Sequence, residues 1–389
     1  MENINQKANS KLYGLDHLRA LAILLVLIFH YQLWFPHPAW TSWFMQLGWT
    51  GVDLFFVLSG FLISSQLFSQ IKKGNQISIK EFYIKRFFRI IPIYFFVVAI
   101  YFLFPFFREK EALPPLWKFL TFTQNFGTDT SKFGTFSHVW SLCVEEHFYL
   151  FFPFILIFLL RKNLFAKSYW ILIVLFLLGF ALRFFLWNTY LASYGIAEQP
   201  KDYWVKIMYT PTYNRLDGLL VGVAIAALYH FLPNVWNKIS KFGNHLIITG
   251  ILLMAAAYFS CTTQKAFSTS IFGFPIIAIA YGFMVTGAIS PVSFLYKWQS
   301  KTTTLIATLS YGIYLTHKSI IHVVQEIFSK WGIEISGNLI FLVSLVLCLL
   351  VALLLHLTIE KPFMKMRDKI IGQKIKHTAN IGSFGVIGA

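Results

Sequence analysis

Apolar runs of roughly bilayer-spanning length alternate with short polar segments along nearly the whole chain. They fall near 16–35, 48–69, 88–107, 138–160, 169–188, 213–232, 245–261, 271–289, 304–325 and 337–359, which predicts about ten helices. The polar segments alternate in charge. One set holds Lys72, Lys73, Lys80, Lys85, Arg86 and Arg89, then Arg161, Lys162 and Lys167, then Lys238, Lys241, Lys297 and Lys301. The amino-terminal Lys7 and Lys11 and the closing Lys361 to Lys376 belong with them. The other set has fewer cations, such as Arg108, Lys110 and Lys201, accompanied by acids such as Glu109, Asp129 and Glu334. The positive-inside rule then places both termini in the cytoplasm, as an even number of spans requires. The expected fold is an all-α polytopic membrane bundle. A cytoplasmic segment at 1–12 precedes a transmembrane domain at 13–363, and a mobile cytoplasmic tail follows at 364–389.

Composition agrees with that pattern. The 389 residues are 57% hydrophobic and 13% charged, where a soluble protein carries about a quarter charged residues. The formal charge of +17 could suggest nucleic acid. The Lys and Arg residues sit between spans, however, so they read as topology and lipid-headgroup signals, with no nucleic-acid partner expected. Cys143, Cys261 and Cys348 lie inside apolar runs; they form no disulfide framework and show no metal-ligand spacing, and no metal is expected. The polar start MENINQKANSK is followed by no small-residue cleavage site, so no signal peptide is expected.

Polar residues inside the spans carry the candidate chemistry, because placing them there is costly. In YGLDHLRALAILLVLIFH, Arg19 and His30 lie eleven residues apart. A helix puts them on one face about 16 Å apart. Singly, Arg19 could snorkel to headgroups and His30 could bond a neighbouring helix. Depth sorts the remainder into two layers. At the cytoplasmic side Arg19 joins Arg86 and Arg89, which share a helix face at i and i+3; such guanidinium clusters suit phosphate. Toward the outer half lie His30, Asp53, Glu145 with Glu146 and His147, Arg215, Asp217 and His317. Arg215 with Asp217 or Glu145 also reads as a structural ion pair, and Gly218 with Gly222 as helix packing.

A histidine beside a carboxylate can remove a hydroxyl proton. His30 is the candidate base and Glu145 its partner, since Glu146 points about 100° away. Ser59 and Ser141 lack a nucleophile-elbow setting, which favours direct transfer. The aromatic-rich outer segments near 108–137 and 189–212 are binding loops or an interface belt. Residues alone leave three functions open: an enzyme, a proton-coupled transporter, and a scaffold or flippase partner.

The ordered segments GLDHLRALAILLVLIFH, GVDLFFVLSGFLIS, FYIKRFFRIIPIY, WSLCVEEHFYLFFP, YNRLDGLLVG, LSYGIYLTH and IEKPF resemble the acyltransferase-3 family of membrane O-acyltransferases. The resemblance runs from about residue 13 to 363. It implies transfer of an acyl group, usually acetyl from acetyl-CoA, to a hydroxyl of an envelope or exported glycan or glycolipid. The enzyme would sit in the inner (cytoplasmic) membrane among its lipids, as a monomer or homo-oligomer. The family's arginine and histidine fall on Arg19 and His30, its basic pair on Arg86 and Arg89, and its WSL-x-x-E glutamate on Glu145. Asp53, Arg215, Asp217 and His317 are then left for the acceptor side. Some relatives carry an esterase-like domain after the last span. This chain ends about twenty-five residues past IEKPF, so transfer is expected within the membrane domain or through a separate partner. The donor's phosphates would dock on the arginines, with its pantetheine arm threading up to His30.

Overall fold

Long apolar stretches must satisfy their backbone hydrogen bonds internally, and here they do so entirely as helices. The computed structural model describes residues 12–195, 198, 202–261 and 263–384, and no strand occurs among them. The principal helices are α1 (Tyr13–Trp34), α2 (Gly51–Lys72), α3 (Ile79–Leu103), α4 (Trp140–Arg161), α5 (Ser168–Tyr190) and α6 (Asp217–Phe231). They continue as α7 (Gly243–Ser260), α8 (Phe274–Ala288), α9 (Lys301–Lys330), α10 (Asn338–Leu355) and α11 (Lys361–Phe384). Eight helical segments among the described residues are long and apolar enough to cross a membrane; the chain is a polytopic membrane protein. The other two expected spans are helices of a different kind. Helix α6 has 15 residues, about 22 Å, against a hydrocarbon core of about 30 Å. Helix α9 has 30 residues but carries His317, Lys318 and Gln325, which it turns into the bundle.

Helix α3 begins well before the expected residue 88. Ser78 caps it by accepting the Glu81 N–H at 3.3 Å, and Lys85 pairs with Glu81 at 2.5 Å. Arg86 and Arg89 therefore sit about two to three turns inside a helix. The chain beyond 363 continues as α11 to Phe384. Lys7, Lys11, Lys201 and residues 385–389 lie outside the described residues.

Two close approaches set the depth of the site. Helices α2 and α6 touch backbone to backbone: a Cβ on Gly60 would run into Leu219, and one on Gly222 into Val57. The packing reading of Gly218 and Gly222 holds for this reason. Helix α2 also starts against the middle of α1, because a Cβ on Gly51 would meet the Ala22 carbonyl at 2.6 Å. Asp53, in the first turn of α2, therefore lies at mid-bundle. Helix α1 is tied to the start of α9 by His17, which bonds the Trp298 carbonyl at 2.9 Å and Thr303 Oγ1 at 2.8 Å.

Candidate active site

Helices α1, α2, α3, α4 and α9 enclose a cavity of about 360 Å³. Arg19, Arg86 and Arg89 all line it, so the three arginines singled out from sequence share one space. Arg86 donates to Gln66 Oε1 at 2.9 Å, while its Nε is buried without a partner. Arg19 and Arg89 form no ion pair or hydrogen bond among the described residues. The same walls carry Asp16, Glu145, Glu146 and Glu360, which makes the cavity mixed in charge where a purely cationic cluster was expected. Acids near but not touching the arginines offset the mutual repulsion of three guanidinium groups and leave most of their N–H donors without an ionic partner.

Glu145, expected beside His30, belongs to this cavity instead. Its Oε1 accepts from Ser59 at 2.7 Å and its Oε2 from Tyr149 at 3.1 Å. The physical reason is depth. Helix α2 starts low against α1, and Glu145 lies more than a turn below the start of α4, so the two layers inferred from sequence meet.

The partner of His30 is His317. His30 Nδ1 lies 2.9 Å from His317 Nε2. A third imidazole, His138, completes the cluster, with ring centroids 5.6 Å from His30 and 4.8 Å from His317. His138 was not singled out from sequence. Its signal was only its place at the outer start of the fourth span, in FSHVWSL. The Tyr314 carbonyl accepts from His138 Nε2 at 2.9 Å and from His317 Nδ1 at 2.8 Å. The Tyr314 hydroxyl donates to the His138 carbonyl and accepts from Ser141 Oγ at 2.7 Å. Tyr314 and Ser141 also line the arginine cavity, which they separate from the imidazoles.

The remaining acceptor-side candidates are placed differently from expectation. Asp53 pairs with Arg215 at 2.7 Å, and Asp217 pairs in a fork with Arg183 at 2.6 and 3.1 Å. All four side chains are buried. The Arg215 guanidinium is further enclosed by Phe274 at 4.1 Å, Tyr209 at 4.8 Å and Trp140 at 5.2 Å. These residues tie α2, α5 and α6 together as buried ion pairs, with Asp53 Oδ2 and Arg215 Nη1 left without a hydrogen-bond partner among the described residues. Arg183 escaped notice as a lone cation within the apolar run GFALRFFLW.

Beside the imidazoles, Lys318 on α9 pairs with Glu109 of the loop following α3 at 2.7 Å, both side chains buried. Burial by itself would raise the Glu109 carboxyl. The Lys318 ammonium and the Phe136 N–H outweigh it and hold the group below the usual glutamate range.

The described residues contain no cluster of His, Cys, Asp and Glu suited to hold a metal ion. No solved structure matches the chain. Among curated proteins it is similar to O-acetyltransferase OatA of Staphylococcus aureus (strain NCTC 8325 / PS 47), at 26% identity over 372 residues, 90% of this chain and 57% of the relative. It is also similar to peptidoglycan O-acetyltransferase OatA of Listeria monocytogenes, at 29% identity over 324 residues, 79% of this chain and 49% of the relative. The chain thus spans about half the length of these relatives. The family model described as an acyltransferase domain matches residues 12–357, and the chain belongs to this acyltransferase-3 family.

Proposed function

We propose that the protein is a membrane O-acetyltransferase that moves an acetyl group from cytosolic acetyl-CoA to a hydroxyl of a cell-envelope glycan. Peptidoglycan, named in the Listeria relative, is the first acceptor to test. One observation carries the reading: three guanidinium groups short of partners line a cavity whose far wall, Tyr314 and Ser141, holds the imidazole cluster. Phosphates of the donor bind the guanidinium groups of Arg19, Arg86 and Arg89 through the N–H donors not already bonded to the protein. The basic loops on the arginine side support a mouth that faces the cytoplasm.

In the reaction, His30 Nε2 removes the proton of the acceptor hydroxyl as its oxygen attacks the thioester carbonyl. The C–S bond breaks, and the imidazolium returns the proton to the departing thiolate, giving ester and free thiol. Of the three imidazoles His30 keeps the most accessible surface, 9%, against 2% for His138 and 0% for His317. Among the described residues its Nε2 has no hydrogen-bond partner, and it is absent from the sealed polar atoms.

The test uses purified protein in vesicles, acetyl-labelled donor on the arginine side, and peptidoglycan fragments on the other. The expected result is labelled glycan ester with one free thiol released per ester, abolished by His30→Ala in a protein that still folds. Solute flux across the vesicle without donor consumption would replace this reading with a transporter.

A further inference from the structure

We infer that His317 is a positioning residue that fixes His30 in the tautomer with a free Nε2. This inference rests on the reading of His30 as the proton acceptor and assigns the partner that the reading lacks.

Backbone acceptors fix where each hydrogen of the cluster sits. Backbone carbonyls only accept. His317 Nδ1 faces two of them, Ile313 at 3.0 Å and Tyr314 at 2.8 Å, so Nδ1 carries the proton. In the neutral ring Nε2 is then a lone pair. That lone pair lies 2.9 Å from His30 Nδ1, which must therefore be the donor. With its hydrogen on Nδ1, neutral His30 has its basic lone pair on Nε2, the nitrogen without a partner among the described residues. His138 is locked by the same carbonyl: its Nε2 donates to Tyr314, and its Nδ1 is buried with no partner. One peptide carbonyl in α9 thus sets the tautomers of two rings, and one of these sets the third.

Position 317 needs an acceptor, and the account does not require that acceptor to be an imidazole. A glutamine offers an amide oxygen on a side chain of comparable reach. Leucine offers neither donor nor acceptor. Lysine offers only donors, and would push His30 toward the opposite tautomer. Full-length protein carrying His317→Gln, His317→Leu or His317→Lys is assayed for acetyl transfer, with acetyl-CoA affinity and thermal unfolding measured alongside. His317→Gln should stay within about tenfold of the parent kcat, while His317→Leu and His317→Lys lose about 100-fold or more at unchanged acetyl-CoA affinity.

Two results overturn the assignment: full activity in His317→Lys, or loss of activity in His317→Gln and His317→Leu that merely tracks their loss of folded protein. If the leucine variant does not fold, the glutamine–lysine comparison alone decides, because both are polar chains of similar length. Failure of the underlying reading looks different. There, His30→Ala transfers acetyl normally, whatever position 317 holds.

Discussion

At the scale of single residues, donor binding and proton transfer fall to different side chains, the arginines and His30. Glu145 makes that separation testable, because the sequence puts it next to His30 and the structure puts it among arginines. Bonds from Ser59 and Tyr149 occupy its two oxygens. A glutamine there keeps an oxygen acceptor and removes one negative charge from a cavity that receives phosphates. Glu145→Gln should therefore tighten acetyl-CoA binding by about 1 kcal/mol, or severalfold in Kd, with kcat within about tenfold of the parent. An orienting carboxylate for His30 would instead lose about 10⁴-fold in kcat when made neutral. Titration calorimetry and initial rates on one preparation distinguish the two. The residue types were legible in the sequence, since any His, Arg or Glu within an apolar run is conspicuous. Their pairing was not. Spacing along one helix locates a side chain on that helix, whereas the partner of His30 depends on how far α2 sinks against α1 and how α9 is rotated.

At the scale of elements, buried ion pairs and close glycine contacts hold the frame. Arg183 attaches α5 to α6 through Asp217 and the Asn214 carbonyl, both with side chains out of reach of solvent. Removing one partner of such a pair strands a charge in a low-dielectric interior. Asp217→Ala should thus cost about 3–5 kcal/mol of stability, read as a lower unfolding temperature in detergent, with little change in donor affinity for the protein that remains folded. A second tie links the loop after α3 to α9 through Glu109 and Lys318. The Glu109 carboxyl titrates below the ordinary glutamate range in the folded state, so folding favours its ionised form. The stability it contributes is complete at pH values above the unfolded pKa and is lost as pH falls through the lowered, folded value. Glu109→Gln should lower the unfolding temperature at neutral pH and flatten its acid limb, as thermal scans across pH would report. Each of the ten apolar runs falls on a helix, but only eight described helices are long and apolar enough to span, α6 being too short and α9 too polar. Helix α3's early start was hidden because the apolar run begins only near residue 88, whereas the Ser78 cap starts the helix at Ile79.

For the whole molecule, the fold is an all-helical membrane body in which a charged cavity stops one side chain short of a buried imidazole cluster. Tyr314 and Ser141 form that last layer, so transfer requires the layer to open or the donor's acyl end to pass beside it. The gathering of Arg19, Arg86 and Arg89 from α1 and α3 was legible because charge alternation fixed which loops share a side and i, i+3 spacing fixed the face. The acids in the same cavity, contributed by α1, α4 and the turn after α10, were not, nor was the pairing of Asp53 with Arg215, which follows from α2 starting at mid-bundle. The central claim is that the arginine cavity holds the donor while His30 acts on the acceptor. Direct binding of acetyl-CoA to purified parent, Arg89→Ala and His30→Ala proteins tests it most plainly. The account predicts that Arg89→Ala weakens binding by about tenfold or more, as loss of a charge-assisted phosphate contact should, and that His30→Ala binds as tightly as the parent without transferring acetyl. Unchanged affinity in Arg89→Ala, or normal transfer by His30→Ala, would contradict it.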